Sequence, residues 1–292
     1  MHYITYLFFR FVCFLFRLLP MWLIYKISDC LSYVLLYIIK YRTIIVKDNL
    51  RLSNLNIDSN NLSDLMKQIY LNLSDTLLET IKAFSISEMD LSKRVEITNL
   101  FIAEDYYKQN KSIIIAASHY ANFEWTAMLS SKLAQHKAIG FYKPLSNKYI
   151  DKYVQQHRAK FGEELGHIGF TSQIFEENKN TLCLFQFISD QSPSNVSKAI
   201  WVDFMGRKTA CSHGLEKYAK HTKLPVVYAH FRRLKRGFYR IELELLCDNA
   251  ENLKENEITQ RYMSLLEKYL HQDPSSWLWT HKRWKHTKKA DV

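Results

Sequence analysis

Ser112-Ile-Ile-Ile-Ala-Ala-Ser-His-Tyr-Ala-Asn-Phe-Glu124 is the stretch on which the fold turns. Its first half, residues 112–118, is a short unbroken apolar run rich in Ile, as expected of a strand buried on both faces of a sheet. The run gives way to His119, and Asn122 is placed to cap a helix whose first turn holds Glu124. Two more runs of this kind follow, Thr-Leu-Cys-Leu-Phe-Gln-Phe-Ile-Ser at 181–189 and Leu-Pro-Val-Val-Tyr-Ala-His-Phe at 224–231. Helical spacing separates them near 125–136, 147–160, 172–178 and 214–221. Buried strands alternating with helices predict an α/β fold, a mostly parallel central sheet flanked by helices. Residues 239–245 alternate Tyr-Arg-Ile-Glu-Leu-Glu-Leu, which predicts an edge strand with one wet face. Apolar positions at 62–84 predict one or two helices, with Asp64 and Asp75 among them. Those at 258–270 predict a late amphipathic helix closed by Pro274.

Hydrophobic residues make up 47% and aromatics 14% of the 292 residues, which excludes disorder over most of the length. With only 7 Gly and no Gly-rich phosphate loop, nucleotide-driven chemistry is not expected. The five cysteines lie far apart with no CxxC pair, which suggests neither a zinc site nor a disulfide framework and suits a reducing compartment. The net charge of +11 calls for anionic partners: nucleic acid, anionic lipid or an acidic protein.

Residues 3–39 are overwhelmingly apolar, broken by Arg10, Arg17, Pro20, Lys26 and Asp29, and Lys40, Arg42 and Lys47 follow. Without a basic start or a small-residue cleavage site, the segment reads as retained. Three readings stand. The 18 residues at 22–39 could span a bilayer, near the lower length limit and with Lys26 and Asp29 costly at the centre. Alternatively the segment is a helical foot lying in the interface, with Arg10 and Arg17 about 20° apart on one polar edge. The third is a soluble pair of core helices. The expected organisation is a membrane-anchoring helical segment at 1–47 and a cytoplasmic α/β domain at 48–292, the side chosen by the basic residues after Ile39.

A bare His-x4-acid pattern is weak: with 11 His and 29 acidic residues a chance match is expected, and His286 with Asp291 is a second one. Position distinguishes His119 and Glu124, because the carboxyl end of a buried strand is where α/β sheets present functional groups. Five residues of regular helix would turn Glu124 about 140° from His119, so the chain must turn between them for the two to meet. An imidazole there can take the proton of an attacking hydroxyl while a carboxylate on its other nitrogen fixes the tautomer. The bland alternative is a capped strand-to-helix turn with a hydrogen-bonded histidine.

The chain resembles the late acyltransferases of lipid A biosynthesis, a branch of the lysophospholipid acyltransferase superfamily. The resemblance is carried by the apolar amino terminus ending at Lys47-Asp-Asn-Leu50, the box at 119–124, Phe141-Tyr-Lys-Pro-Leu145 with Arg158 downstream, and Asp190-Gln191. Phe204-Met-Gly-Arg207, Phe231-Arg-Arg233 and Trp277-Leu-Trp-Thr-His-Lys-Arg-Trp-Lys285 complete it. Glycerol-phosphate acyltransferases share the box but normally end it in Asp and carry a Pro-Glu-Gly-Thr block absent here. The resemblance implies catalysis by His119 and Glu124 without a cofactor. It implies acyl carrier protein thioester as donor and a Kdo-bearing, tetra-acylated lipid A precursor as acceptor, on the cytoplasmic face of the inner membrane. It also implies substrate-binding roles for Arg158, Asp190, Tyr142, Lys143 and Arg233. A guanidinium suits phosphate or carboxylate, whereas Arg158 could equally be a solvated helix residue and Asp190 the start of a turn with Ser192-Pro193.

The ending, Lys282, Arg283, Lys285, Lys288 and Lys289 interleaved with Trp279 and Trp284, suits a bilayer interface, a nucleic acid or a solvated tail. The apolar amino terminus favours the membrane and its anionic lipids, with no nucleic acid partner. Relatives in the same branch acylate other lipids, so a lysophospholipid or amino-acid lipid is the alternative acceptor. A non-catalytic basic protein binding membranes or nucleic acid is the alternative of a different class.

Overall fold

A computed structural model describes residues 2–287. The amino-terminal helices are α1 (His2–Leu18), α2 (Met21–Tyr33), which runs on through a π-helical turn at Val34–Ile38, α3 (Thr43–Leu52), α4 (Ser59–Ala83) and α5 (Glu88–Ser92). There follow β1 (Val95–Thr98), α6 (Phe101–Lys108), β2 (Ile113–Ala117), α7 (Phe123–Met128), β3 (Lys137–Tyr142), α8 (Lys148–Arg158), β4 (Glu164–His167), α9 (Thr171–Glu177) and β5 (Cys183–Ile188). The chain continues through the hairpin β6 (Ile200–Phe204) and β7 (Arg207–Cys211), then α10 (Gly214–Thr222), β8 (Val226–Lys235), β9 (Phe238–Cys247) and α11 (Glu257–Gln272).

The main sheet has the order β1-β9-β8-β2-β5-β3-β4, and of its neighbouring pairs only β8 and β9 run antiparallel. This is the expected α/β class. The three apolar runs singled out in the sequence are the three middle strands, β8, β2 and β5. Each is flanked by strands and covered on both faces, which is why they carry no polar alternation. The expectation for 239–245 needs correction. Its alternation does give one buried face, Tyr239, Ile241 and Leu243, but β9 is not an edge: the four-residue β1 pairs alongside it. A Val-Glu-Ile-Thr segment is too short to announce itself.

The block at 204–207 is a hairpin turn. Met205 and Gly206 both take positive φ, 53° and 74°, the two-residue type I′ geometry that joins twisted antiparallel strands. The carboxyl-terminal segment packs over this hairpin, and that corrects the picture of its rings and cations as one surface. Trp279 and Arg283 are fully buried. Arg283 Nη1 donates to the Ala210 carbonyl at 2.7 Å, and Trp284 Nε1 to Thr209 Oγ1 at 2.9 Å. Only Lys282 and Lys285 of the basic set remain exposed among the described residues. Lys288, Lys289 and the Asp291 of the second His-x4-acid match lie outside them.

Contacts also cross residue 47. Val46 is in the core, and Asn49 Nδ2 donates to the carbonyls of Trp279 at 2.8 Å and His281 at 2.7 Å, clamping the carboxyl-terminal segment. Helix α2 lies against α4 through polar contacts: Ser28 Oγ donates to Asp75 Oδ1 at 2.6 Å and Tyr25 OH to Glu79 Oε1 at 2.8 Å. The segment Met21–Ile38 is long and apolar enough to cross a membrane by length and composition, with 11% of it buried.

Asp75 also settles the place of Arg233. That guanidinium donates through Nη2 to Asp75 Oδ2 at 2.6 Å, beside Arg236, in a buried junction between α4 and the end of β8. Arg233 is therefore held in a structural ion pair. Arg233→Met is expected to cost about 2 kcal/mol of stability, the scale of a charged hydrogen bond, with Arg236 still pairing Asp75. Melting and steady-state kinetics of the variant check this; a large rise in KM without loss of stability would contradict it.

Candidate active site

His119 lies two residues beyond the end of β2, and Asp190 two beyond the end of β5. The strands are parallel neighbours with Ala117 opposite Ile188, so the register brings the two side chains face to face. His119 Nδ1 donates to Asp190 Oδ1 at 2.7 Å. The other carboxylate oxygen accepts from Trp277 Nε1 at 2.8 Å, and Asp190 is 1% exposed. Trp277 is held in turn by main-chain bonds between its segment and the histidine loop: Leu278 N to the His119 carbonyl at 3.1 Å and Ala121 N to the Ser276 carbonyl at 2.7 Å. The segment around Trp277 thus braces the pair from behind.

The turn expected between His119 and Glu124 is present, with Ala121 in the left-handed region at φ 49°. Asn122 is the expected cap: its Oδ1 accepts from Trp125 N at 2.9 Å. Its Nδ2 donates to Glu79 Oε2 at 2.6 Å, so the cap is itself anchored on α4. The consequence for Glu124 is a correction. The helix start aims it away from the imidazole and onto Arg158 at the end of α8, which binds it through two guanidinium nitrogens, Nε to Oε2 at 3.0 Å and Nη2 to Oε1. The carboxylate that orients His119 is Asp190. Asp190 accordingly sits behind the histidine and does not line the cleft as a substrate ligand.

A cleft of about 430 Å³ opens in front of the histidine. His119, Glu124, Tyr142, Lys143 and Arg158 all line it, so the structure gathers five of the seven residues picked from sequence. Apolar walls come from Phe123, Met128, Phe141 and Ile168. Sequence reading missed Glu163, which is 4% exposed at the inner wall. Burial pushes its carboxyl up to about 8, so it is largely neutral near pH 7. It fits because its neighbour is Gly140: a Cβ there would come within 2.4 Å of Glu163 Oε1.

Burial by itself would disfavour the His119 imidazolium, but the charge and hydrogen bond of Asp190, with the Glu124 charge further off, outweigh it and hold the pKa above the ordinary value. Burial likewise disfavours the Asp190 carboxylate, and His119 and Trp277 outweigh that too, holding it below the ordinary value. With Nδ1–H committed to Asp190, the lone pair of the neutral ring is on Nε2, which has no hydrogen bond among the described residues. The arrangement can take a proton from a hydroxyl in the cleft, with the resulting imidazolium stabilised by a buried anion.

Residues 1–286 match the family described as bacterial lipid A biosynthesis acyltransferase. A Haemophilus influenzae protein named lipid A biosynthesis acyltransferase is 22% identical over 251 residues, covering 84% of this chain and 78% of that protein. A family match over nearly the whole length places this protein in the bacterial lipid A biosynthesis acyltransferase family and makes it an acyltransferase.

Proposed function

We propose that the protein moves a fatty acyl chain from an acyl carrier protein thioester onto a hydroxyl of a Kdo-bearing, tetra-acylated lipid A precursor, at the cytoplasmic face of the inner membrane. The observation that carries the reading is the bond from His119 Nδ1 to Asp190, on a histidine that lines the cleft. In the reaction, Nε2 takes the hydroxyl proton as the oxygen attacks the thioester carbonyl. The carbon–sulfur bond then breaks, and the imidazolium returns the proton to the leaving thiolate. No separate nucleophile and no metal or nucleotide cofactor enters this scheme. Arg158 and Lys143 at the rim supply cationic hydrogen-bond donors for acceptor phosphate or carboxylate, Arg158 while still tied to Glu124. Tyr142 lines the same rim. The net charge of +11 favours approach of an acidic carrier protein and of anionic lipid.

The test is acyl transfer by purified protein in detergent, with acyl carrier protein thioester and the tetra-acylated precursor, followed by mass spectrometry. The expected product is heavier than the precursor by one acyl chain. Acylation of a lysophospholipid or an amino-acid lipid, with the precursor left unchanged, would overturn the acceptor. A lipid A mass spectrum with and without the gene reports the same point in cells, and chain length with it.

A further inference from the structure

A second cavity, of about 580 Å³, opens between α1 and α8, away from the catalytic cleft. Arg10, Arg17 and His157 line it, and none of its lining residues is acidic. Helix α1 itself has no acidic residue, so nothing on it offsets the two guanidinium charges. Arg10 is held in place by Tyr6, whose hydroxyl accepts from Nη1 at 3.1 Å, and by the face of the Tyr153 ring 5.3 Å away. Arg17 is exposed, and its guanidinium makes no hydrogen bond or ion pair among the described residues. Nor is it needed to cap its own helix, because Lys82 Nζ already donates to the carbonyls of Phe16, Arg17 and Leu19 at 3.0, 3.1 and 2.9 Å.

The surface beside this cavity is apolar. Ile4, Phe8, Phe11, Phe14 and Leu18 are 72%, 66%, 57%, 55% and 65% exposed. At about 100° per residue they project within roughly 60° of one direction, and Arg10 and Arg17, about 20° apart, lie along one border of that stripe next to Phe14. An apolar stripe edged by cations matches a bilayer surface, with rings among the upper acyl chains and guanidinium groups at phosphate depth. Leu145 and Ile168, exposed at the cleft, add apolar surface beside the catalytic opening.

We infer that the cavity between α1 and α8 binds the phosphate of an anionic phospholipid in the bilayer, through Arg10 and Arg17. The inference rests on the reading that α1 lies on a lipid surface. At about 1 kcal/mol for each cation near an anionic surface, the two arginines account for a preference of about thirty-fold for anionic over zwitterionic membranes.

The full chain, freed of detergent, is floated with vesicles of phosphatidylcholine alone and with vesicles containing phosphatidylglycerol. The wild type is expected to bind both and to prefer the anionic ones by about thirty-fold. The Arg10→Gln/Arg17→Gln variant should keep its binding to phosphatidylcholine and lose most of that preference. Arg17→Gln, which breaks no contact in the fold, should lose about half of it on a logarithmic scale. Millimolar inorganic phosphate at constant ionic strength should leave the preference intact. Failure to bind any vesicle would overturn the lipid-surface reading itself. Vesicle binding without anionic preference, or a preference that survives both substitutions, would overturn the arginine site alone. Loss of the preference to inorganic phosphate would make the ligand a soluble anion and not a lipid.

Discussion

Asp190→Asn is expected to lower kcat by about 10²–10⁴-fold with little change in KM. The reason is the tautomer. Trp277 Nε1 is a donor only, so it takes the carbonyl oxygen of the new amide and turns the NH2 group toward the histidine. His119 Nδ1 must then accept, which moves the ring proton to Nε2 and removes the lone pair that would receive the hydroxyl proton. The residual activity should also change its pH dependence. Since Asp190 holds the imidazolium above its ordinary pKa, neutralising it lets that pKa fall, and the acidic limb of the rate profile moves to lower pH. The check is a pH profile of single-turnover acyl transfer for the two proteins. A limb that stays in place, or moves to higher pH, would contradict the assignment.

His119→Ala removes the group that takes the proton and is expected to cost at least about 10²-fold in kcat. Folding should survive, because the side chain is 19% exposed and its main-chain carbonyl still accepts from Leu278. Loss of the imidazole leaves Asp190 buried with Trp277 as partner, so a moderate drop in melting temperature accompanies the loss of rate. The discriminating readout is activity at saturating substrate, normalised to folded protein. Near-normal turnover there would sink general-base catalysis by this residue.

How much of this was legible depended on whether the signal was local. Runs of apolar residues marked β2, β5 and β8 because strands flanked on both sides need no polar face. The strands that sequence reading missed were mostly short, β1 and β4 at four residues and the hairpin strands β6 and β7 at five, together with β3, whose Gly140 leaves no side chain to read. The histidine was found from its place after a buried strand, and the Asn122 cap from residue type. The expected partner, Glu124, shares a box with His119, whereas the carboxylate bonded to the ring comes from the end of another strand. Two strands that pair in parallel put residues equally far past their ends side by side, and that rule points to Asp190 once β2 and β5 are known to be neighbours. Arg233 and the closing Trp and Arg residues looked like surface chemistry because composition does not reveal burial; Asp75 and the β6–β7 hairpin account for them.

The central claim, that Asp190 and not Glu124 orients the catalytic histidine, is tested most directly by titrating His119 itself. Labelled histidine read by NMR in the wild type, Asp190→Asn and Glu124→Gln gives the pKa and the ring tautomer together. The account predicts a raised pKa with the proton on Nδ1 in the wild type, and both lost in Asp190→Asn. In Glu124→Gln the tautomer should be retained, with only a smaller fall in pKa, since Glu124 acts through its charge alone. A tautomer that changes in Glu124→Gln and persists in Asp190→Asn would contradict it.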